Sequence, residues 1–253
     1  MARYQIILAY DGTDFFGSQR QAKVRTVQGD FEKSLRKIGW RDSSILMAGR
    51  TDAGVHASGQ VVAFDFDWKH SLTDLRNALN ATLPAELAIS SVKIAPDDFH
   101  PRFDAIARSY RYRIFCQKTR DPLRERFAWR VDPVLDGEIL HKLAEMLPGK
   151  HDFSAFGSPP RPEGSTERHL MRASWTKQAD EWIFGVQANA FLYHMVRKLV
   201  FAQVVIAQHK VSVEKFAQSL ADQAEITSGI APPNGLTLVE VSYPDNLKFE
   251  SGI

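Results

Sequence analysis

The stretch Met47–Val62, MAGRTDAGVHASGQVV, holds one carboxylate, Asp52, between Gly49 and Gly54. Arg50 stands two residues before the acid and His56 four after it. Glycines on both sides let the backbone bend sharply and leave room for a bulky ligand. A neighbouring guanidinium favours the ionised acid and keeps it a ready carboxylate. The combination suits a nucleophile or a general base. The ordinary alternative is an Asp that caps a turn beside glycine through its side-chain oxygen. A lone acid argues against common glycoside hydrolysis, which uses a pair of carboxylates, and equally disfavours a nucleoside-cleaving hydrolase. His56 is a second candidate base, although a histidine near a strand start is more often structural. The remaining histidines, including His151, His169 and His194, show no HExxH or other ligand spacing, so no metal is expected. There is no GxxxxGK(S/T) phosphate loop and no GxSxG elbow, and YDGTDFFG has too few glycines for a dinucleotide loop.

Regular elements must hold this loop. Tyr4–Tyr10 reads as a strand ending in the Asp11-Gly12 turn. Thr26 caps a helix in which Val27, Phe31, Leu35 and Ile38 recur at helical spacing, with Gly39 as its stop. Ile45–Ala48 and Gln60–Phe66 flank the loop as strands; Val62, Phe64 and Phe66 share one face and Asp65 and Asp67 the other. Ser71–Leu83 is a capped helix with a Leu72, Leu75, Leu79 stripe, and Leu87–Ile94 a strand. The Pro-containing segment Ala95–Pro101 is the expected junction between an N-terminal lobe (1–100) and a C-terminal lobe (101–253). Beyond it come a long strand, Ala105–Phe115, and a helix, Asp136–Leu147. A loop, Ser158–Arg168, leads to strands near Leu170–Lys177 and Glu181–Gln187. A long helix over Phe191–Gln208, another capped by Ser212 and a closing strand, Gly235–Tyr243, complete the chain. Strands and helices mix in both halves, which implies two α+β lobes.

The chain has 253 residues, 44% hydrophobic and 25% charged, as in an ordinary globular protein. With 32 basic and 30 acidic residues its formal charge is +2, so placement of charge matters more than its sum. A single cysteine, Cys116, allows no disulfide framework and suits a reducing compartment. The apolar start, MARYQIILAYDG, is too short for a signal peptide, and FLYHMVRKLVFAQVVIAQ is interrupted by Arg197 and Lys198 and too short to span a bilayer. A cytoplasmic protein without a membrane partner is expected.

Nine Arg or Lys against three Asp or Glu lie between His100 and Arg130, a local excess of six. Within it AIARSYRYRIF alternates as a strand should. Ile106, Arg108, Tyr110, Tyr112 and Ile114 point one way; Ala107, Ser109, Arg111, Arg113 and Phe115 point the other. Arginines interleaved with tyrosines can clamp phosphates and stack on an unpaired base. The plain alternative is a half-buried strand with solvated arginines. Arg20, Lys23 and Arg25, with Arg197 and Lys198, extend the set that could track a phosphate backbone.

GRTDAGVHA (Gly49–Ala57) closely resembles the active-site motif of the bacterial tRNA pseudouridine synthase A family. YDGTDFFGSQRQ, FHPRFDAIARSYRYRI, HDFSAF, FLYHMVRKLV and APPNGLTL resemble further blocks of that family in the same order, from Tyr4 to about Tyr243. The resemblance implies an isomerase that converts uridine to pseudouridine at positions 38 to 40 of the tRNA anticodon stem-loop, without a cofactor. It implies a homodimer with tRNA lying across both subunits. The implied fold is α+β: two lobes with a mixed, largely antiparallel sheet flanked by helices, and an active-site cleft between the lobes. Asp52 matches the essential aspartate, Tyr110 the tyrosine that packs on the target base, Arg197 the arginine that pairs with the aspartate, and Arg50 an arginine that helps extrude the nucleotide. Arg20, Arg108, Arg111 and Arg113 are further RNA-binding candidates. Two positions depart from the family: Ser18 stands where members usually have Trp, and Phe201 where they usually have Gly, which is expected to push the long helix off its neighbour. A non-catalytic RNA-binding protein that kept the fold is the competing reading.

Overall fold

A computed structural model describes residues 1–132, 135–224 and 226–250. In chain order the elements are β1 (Ala2–Tyr10), α1 (Val27–Lys37), β2 (Leu46–Met47), β3 (His56–Phe66), α2 (Leu72–Thr82), β4 (Leu87–Ala95), β5 (Ala107–Cys116), β6 (Trp129–Val131) and α3 (Gly137–Glu145). They continue with β7 (Gly149–Asp152), β8 (Glu167–Gln178), β9 (Glu181–Ala188), α4 (Met195–Ala207), α5 (Val213–Asp222) and β10 (Leu236–Ser242). Two compact units result: Met1–Ile106 with Leu238–Ile253, and Ala107–Thr237. Each is a mainly antiparallel sheet with helices against it, so the class is α+β.

In the first unit β1 is central, antiparallel to β3 on one side and to β4 on the other. The period-2 pattern of β1 puts Tyr4, Ile6, Leu8 and Tyr10 on one buried face. Tyr4 pairs with Phe64 of β3, and Phe31 of α1 meets the Phe64 ring at 6.1 Å, so α1 covers this face. Thr26 caps α1 by accepting from the Gly29 N–H, and Ser71 and Asp74 form a reciprocal capping box at the start of α2. On the opposite face Arg3 pairs with Asp65 at 2.7 Å. The C-terminal segment belongs here too: Val239 lies so close to Gly59 of β3 that a Cβ would sit 2.1 Å from its carbonyl oxygen.

In the second unit β5 pairs with β9, β9 with β8 and β8 with β7, all antiparallel, while β6 runs parallel to β5. Trp175 of β8 donates its indole N–H to Gln203 of α4 at 2.8 Å, a buried polar contact that sets the helix on the sheet. Helix α4 begins at Met195, later than the periodicity suggests. His194 sits at φ 66°, in left-handed conformation, which a right-handed helix cannot pass through. Strands β6 and β7, of three and four residues, are too short to show a period in the sequence. Among the described residues no helix is long and apolar enough to cross a membrane.

Candidate active site

The Asp52 loop joins β2 to β3 and is fastened at Gly49, Thr51 and Gly54 by groups of the first unit. Gln60, fully buried on β3, grips Gly49 in both directions: its Nε2 donates to the Gly49 carbonyl at 2.9 Å and its Oε1 accepts from the Gly49 N–H at 3.2 Å. The Thr51 hydroxyl is 2.8 Å from the Tyr10 hydroxyl at the end of β1. The Thr51 carbonyl accepts from Ser18 N–H at 3.1 Å, and the Gly54 N–H donates to the Phe15 carbonyl at 3.2 Å. Asp52 therefore lies between two tethered residues, itself half-buried, with Arg50 exposed beside it.

Two glycines make this possible. Gly54 has φ +76°, a conformation that side-chain-bearing residues rarely adopt. Gly12, in the turn after β1, passes so close to Val55 that a Cβ would fall 2.0 Å from its carbonyl oxygen. The same turn explains His56, which is buried: its Nδ1 accepts from the Gly12 N–H at 3.0 Å. Asp11 Oδ1 is 3.2 Å from that same nitrogen. A nitrogen that accepts from Gly12 carries no proton to give Asp11, so the two contacts are alternatives set by the tautomer of the ring. Here His56 joins the end of β1 to the start of β3. Burial pushes the Tyr10 phenol up to about 12, against a partial offset from its bonds to Thr51 and Gln60. Tyr10 is thus a neutral hydroxyl within the frame.

The second unit carries Tyr110 with Arg108, Arg111, Arg113 and Arg197. Tyr110 lies mid-strand on β5 opposite Val186, and Phe191 meets its ring edge-on at 5.0 Å and 86°. Arg108 donates to the Asn189 carbonyl at 2.9 Å. Arg111 is exposed. Arg113 makes a two-pronged pair with Glu181, at 2.9 and 3.0 Å, which Arg124 also joins at 3.1 Å. Arg20, in the first unit, is paired with Glu32. Arg20 and Arg113 would have to give up a carboxylate to meet a phosphate, and Arg111 would not. Among the described residues no group of three His, Cys, Asp or Glu could hold a metal ion.

Arg197 sits in the first turn of α4. Its Nε donates to the Ala231 carbonyl at 2.8 Å, and Ala231 N–H donates back to the Arg197 carbonyl at 3.2 Å. Tyr112 adds a bond to the Pro232 carbonyl at 2.7 Å, so the APPNGL turn is latched to both helix and sheet. One turn along α4, Phe201 stacks on Trp129 with ring centroids 6.1 Å apart and planes at 11°. Gly229 supplies the room, since a Cβ there would lie 1.9 Å from the Phe201 ring.

The residues that hold the loop are Tyr10, Gln60 and Ser18, of which the sequence reading marks only Ser18, and that as a departure from the family and not as a tether. Gln60 carries a signal, being a polar residue at the head of the apolar run QVVAF. Arg168 was also passed over. Its Nε is buried and has no hydrogen-bond partner among the described residues, and burial lowers its pKa.

Residues 6–104 and 143–244 match the profile of a family described as tRNA pseudouridine synthase. A protein of Chloroflexus aurantiacus named tRNA pseudouridine synthase A is 40% identical over 255 residues, covering 98% of this chain and 91% of its own. Proteins of the same name from Colwellia psychrerythraea (36% over 248 residues, covering 98% and 96%) and Escherichia coli (36% over 245 residues, covering 96% and 91%) are also similar. A solved Cbf5-Nop10-Gar1 complex contains a chain that matches at 10% identity and a TM-score of 0.37, over 79% of this chain and 44% of its own, too faint to argue from. An α+β fold with a tethered acidic loop and a basic tyrosine strand suits an enzyme that works on a nucleic acid. The chain belongs to the tRNA pseudouridine synthase family, and with it to the isomerases.

Proposed function

We propose that the chain isomerises uridine to pseudouridine at positions 38 to 40 of the tRNA anticodon stem-loop, with Asp52 as the one catalytic acid and no cofactor. The observation that carries this is the placing of Asp52: a half-buried carboxylate between two residues whose main chain is tied down. Such an acid is pre-oriented, which is what a carboxylate acting on a bound sugar requires.

The reaction breaks the bond between ribose C1′ and uracil N1, turns the uracil while it stays bound, and joins C5 to C1′. The hydrogen on C5 leaves as a proton and N1 takes one up, so that substrate and product are isomers. One carboxylate suffices, because the leaving base is recaptured and no water needs activation. Asp52 acts either by attack on C1′ or by taking a proton from the sugar to give a glycal. The target must first leave the base stack, at a cost of a few kcal/mol. Arg50, exposed beside Asp52, is assigned to the gap the base leaves, and Tyr110 to stacking on the base. Arg197 is assigned as counter-ion to the carboxylate. Arg111 and Arg108 serve the phosphate backbone, with Arg20 and Arg113 as further contacts. The working form in this reading is a cytoplasmic homodimer.

The test uses tRNA transcripts in which the uridines at 38, 39 and 40 are replaced by cytidine singly and together. Nucleoside mapping should find pseudouridine at each uridine that remains and none in the triple replacement. Pseudouridine elsewhere, or tight binding with no product, would overturn the site assignment or the enzyme respectively.

A further inference from the structure

The segment before α1 is joined to the catalytic loop by a residue whose type matters. Ser18 is 1% exposed. Its Oγ accepts from the Thr51 N–H at 2.9 Å, a buried bond between residues 33 apart in the chain. Its N–H donates to the Thr51 carbonyl at 3.1 Å, and its carbonyl accepts from the Gln28 N–H at 2.9 Å. Gln28 lies in the first turn of α1, and its side-chain Oε1 accepts from the Arg20 N–H at 2.9 Å. Ser18 thus bridges a helix start and the residue next to Asp52.

The two bonds to Thr51 differ in kind. The main-chain bond survives any side chain at position 18. The hydroxyl bond exists only because this residue carries an oxygen on Cβ. The Thr51 N–H belongs to the planar peptide that joins Arg50 to Thr51. Fixing its acceptor fixes the rotation of that plane, with Arg50 on one side of it and Asp52 one residue beyond on the other. Thr51 itself stays held through its carbonyl and, by Tyr10, through its hydroxyl. Loss of the Ser18 hydroxyl therefore loosens one peptide and leaves the frame around it.

We propose that Ser18 is a positioning residue for Asp52: its hydroxyl sets the Arg50–Thr51 peptide and so the direction of the catalytic carboxylate. This rests on the reading of Asp52 given above. Ser18 touches no reacting atom in this role. Its effect is on the rate of chemistry and not on tRNA affinity, because small misplacements of a reacting group cost rate steeply.

The experiment measures single-turnover tritium release from tRNA labelled at uracil C5, together with the tRNA dissociation constant, for wild type, Ser18→Ala, Ser18→Thr and Asp52→Asn. Ser18→Ala should lose at least tenfold in rate with affinity within twofold, and Ser18→Thr should recover most of the rate. Amide exchange at Thr51 should quicken in Ser18→Ala. If Ser18→Ala is not folded at the assay temperature, Ser18→Cys replaces it, with similar volume and a weaker acceptor; a rate clearly below wild type supports the role. A wild-type rate in Ser18→Ala or Ser18→Cys beside an inactive Asp52→Asn overturns the positioning role and leaves the Asp52 reading standing. Equal losses of rate and affinity, unrelieved by Ser18→Thr, mark a purely structural residue and overturn it too. A fully active Asp52→Asn removes the Asp52 reading and this role with it.

Discussion

The side-chain amide of Gln60 spans the backbone of Gly49, donating to its carbonyl and accepting from its N–H. A glutamine on a strand has replaced a neighbouring strand as hydrogen-bond partner at the point where β2 gives way to the loop. The buried amide is satisfied by the loop, and the loop's first glycine is satisfied by the amide.

Replacing Gln60 by Leu, an apolar side chain of broadly similar size, removes both bonds to Gly49 and the bond with Tyr10. Each neutral hydrogen bond contributes about 1 kcal/mol, and buried groups left unpaired add to that, so stability should fall by about 2 to 4 kcal/mol. The turnover rate should fall as well, measured at a temperature where the variant is folded. Urea unfolding checks the first, and an unchanged midpoint would show that the Gly49 bonds carry no weight.

Tyr10 makes stability fall at high pH in a predictable way. Its folded phenol titrates near 12, and an unfolded tyrosine near 10 (about the ordinary value). The raised value means that its contribution is whole below pH 10 and is lost as pH climbs toward 12, because the unfolded chain releases the proton first. Tyr10→Phe should cost about 1 to 2 kcal/mol near neutrality through the lost bonds to Thr51 and Gln60. Above pH 10 the wild type should decline relative to Tyr10→Phe, and the two curves should cross. Parallel urea midpoints from pH 7 to 11.5 would contradict this.

The arginines of β5 should separate by function. Arg111 is exposed, whereas Arg113 is committed to Glu181. Arg111→Ala should weaken tRNA binding and reduce the slope of log affinity against log salt by about one. Arg113→Ala should act mainly on stability, by about 1 kcal/mol, with a smaller change in slope. Equal slope changes in both would show that Glu181 releases Arg113 to the RNA.

Phe201 and Gly229 should behave as one unit. A methyl at position 229 falls inside the Phe201 ring, so Gly229→Ala should cost about 1 to 3 kcal/mol by overpacking. Phe201→Leu in the same chain should relieve most of that cost, a non-additivity that a double-mutant cycle measures. Strict additivity would mean that the strain is taken up elsewhere.

Much of this architecture could be read from the chain. The alternation in β1, the Thr26 cap and the Phe31–Leu35 spacing of α1 are local signals, and the elements follow them. The departure at Phe201 was legible as a bulky residue; that Gly229, twenty-eight positions on, leaves its ring a place on Trp129 was not. The start of α4 escaped because apolar periodicity carries no record of the left-handed His194. Strands β6 and β7 escaped because three or four residues cannot display a period. At the site, the glycines around Asp52 announced a bent loop. What fastens that loop was hidden, since Ser18, Tyr10 and Gln60 reach it only after the chain has folded back.

The central claim is that Asp52 does the chemistry, and one comparison tests it most directly. tRNA carrying tritium at uracil C5 is incubated with wild type and with Asp52→Asn, and both release of tritium and retention of tRNA are measured. Wild type should release the label, while Asp52→Asn should bind tRNA with similar affinity and release none. Release by Asp52→Asn at a rate near wild type would contradict the claim, and a lack of release by both would leave an RNA-binding protein in place of the enzyme.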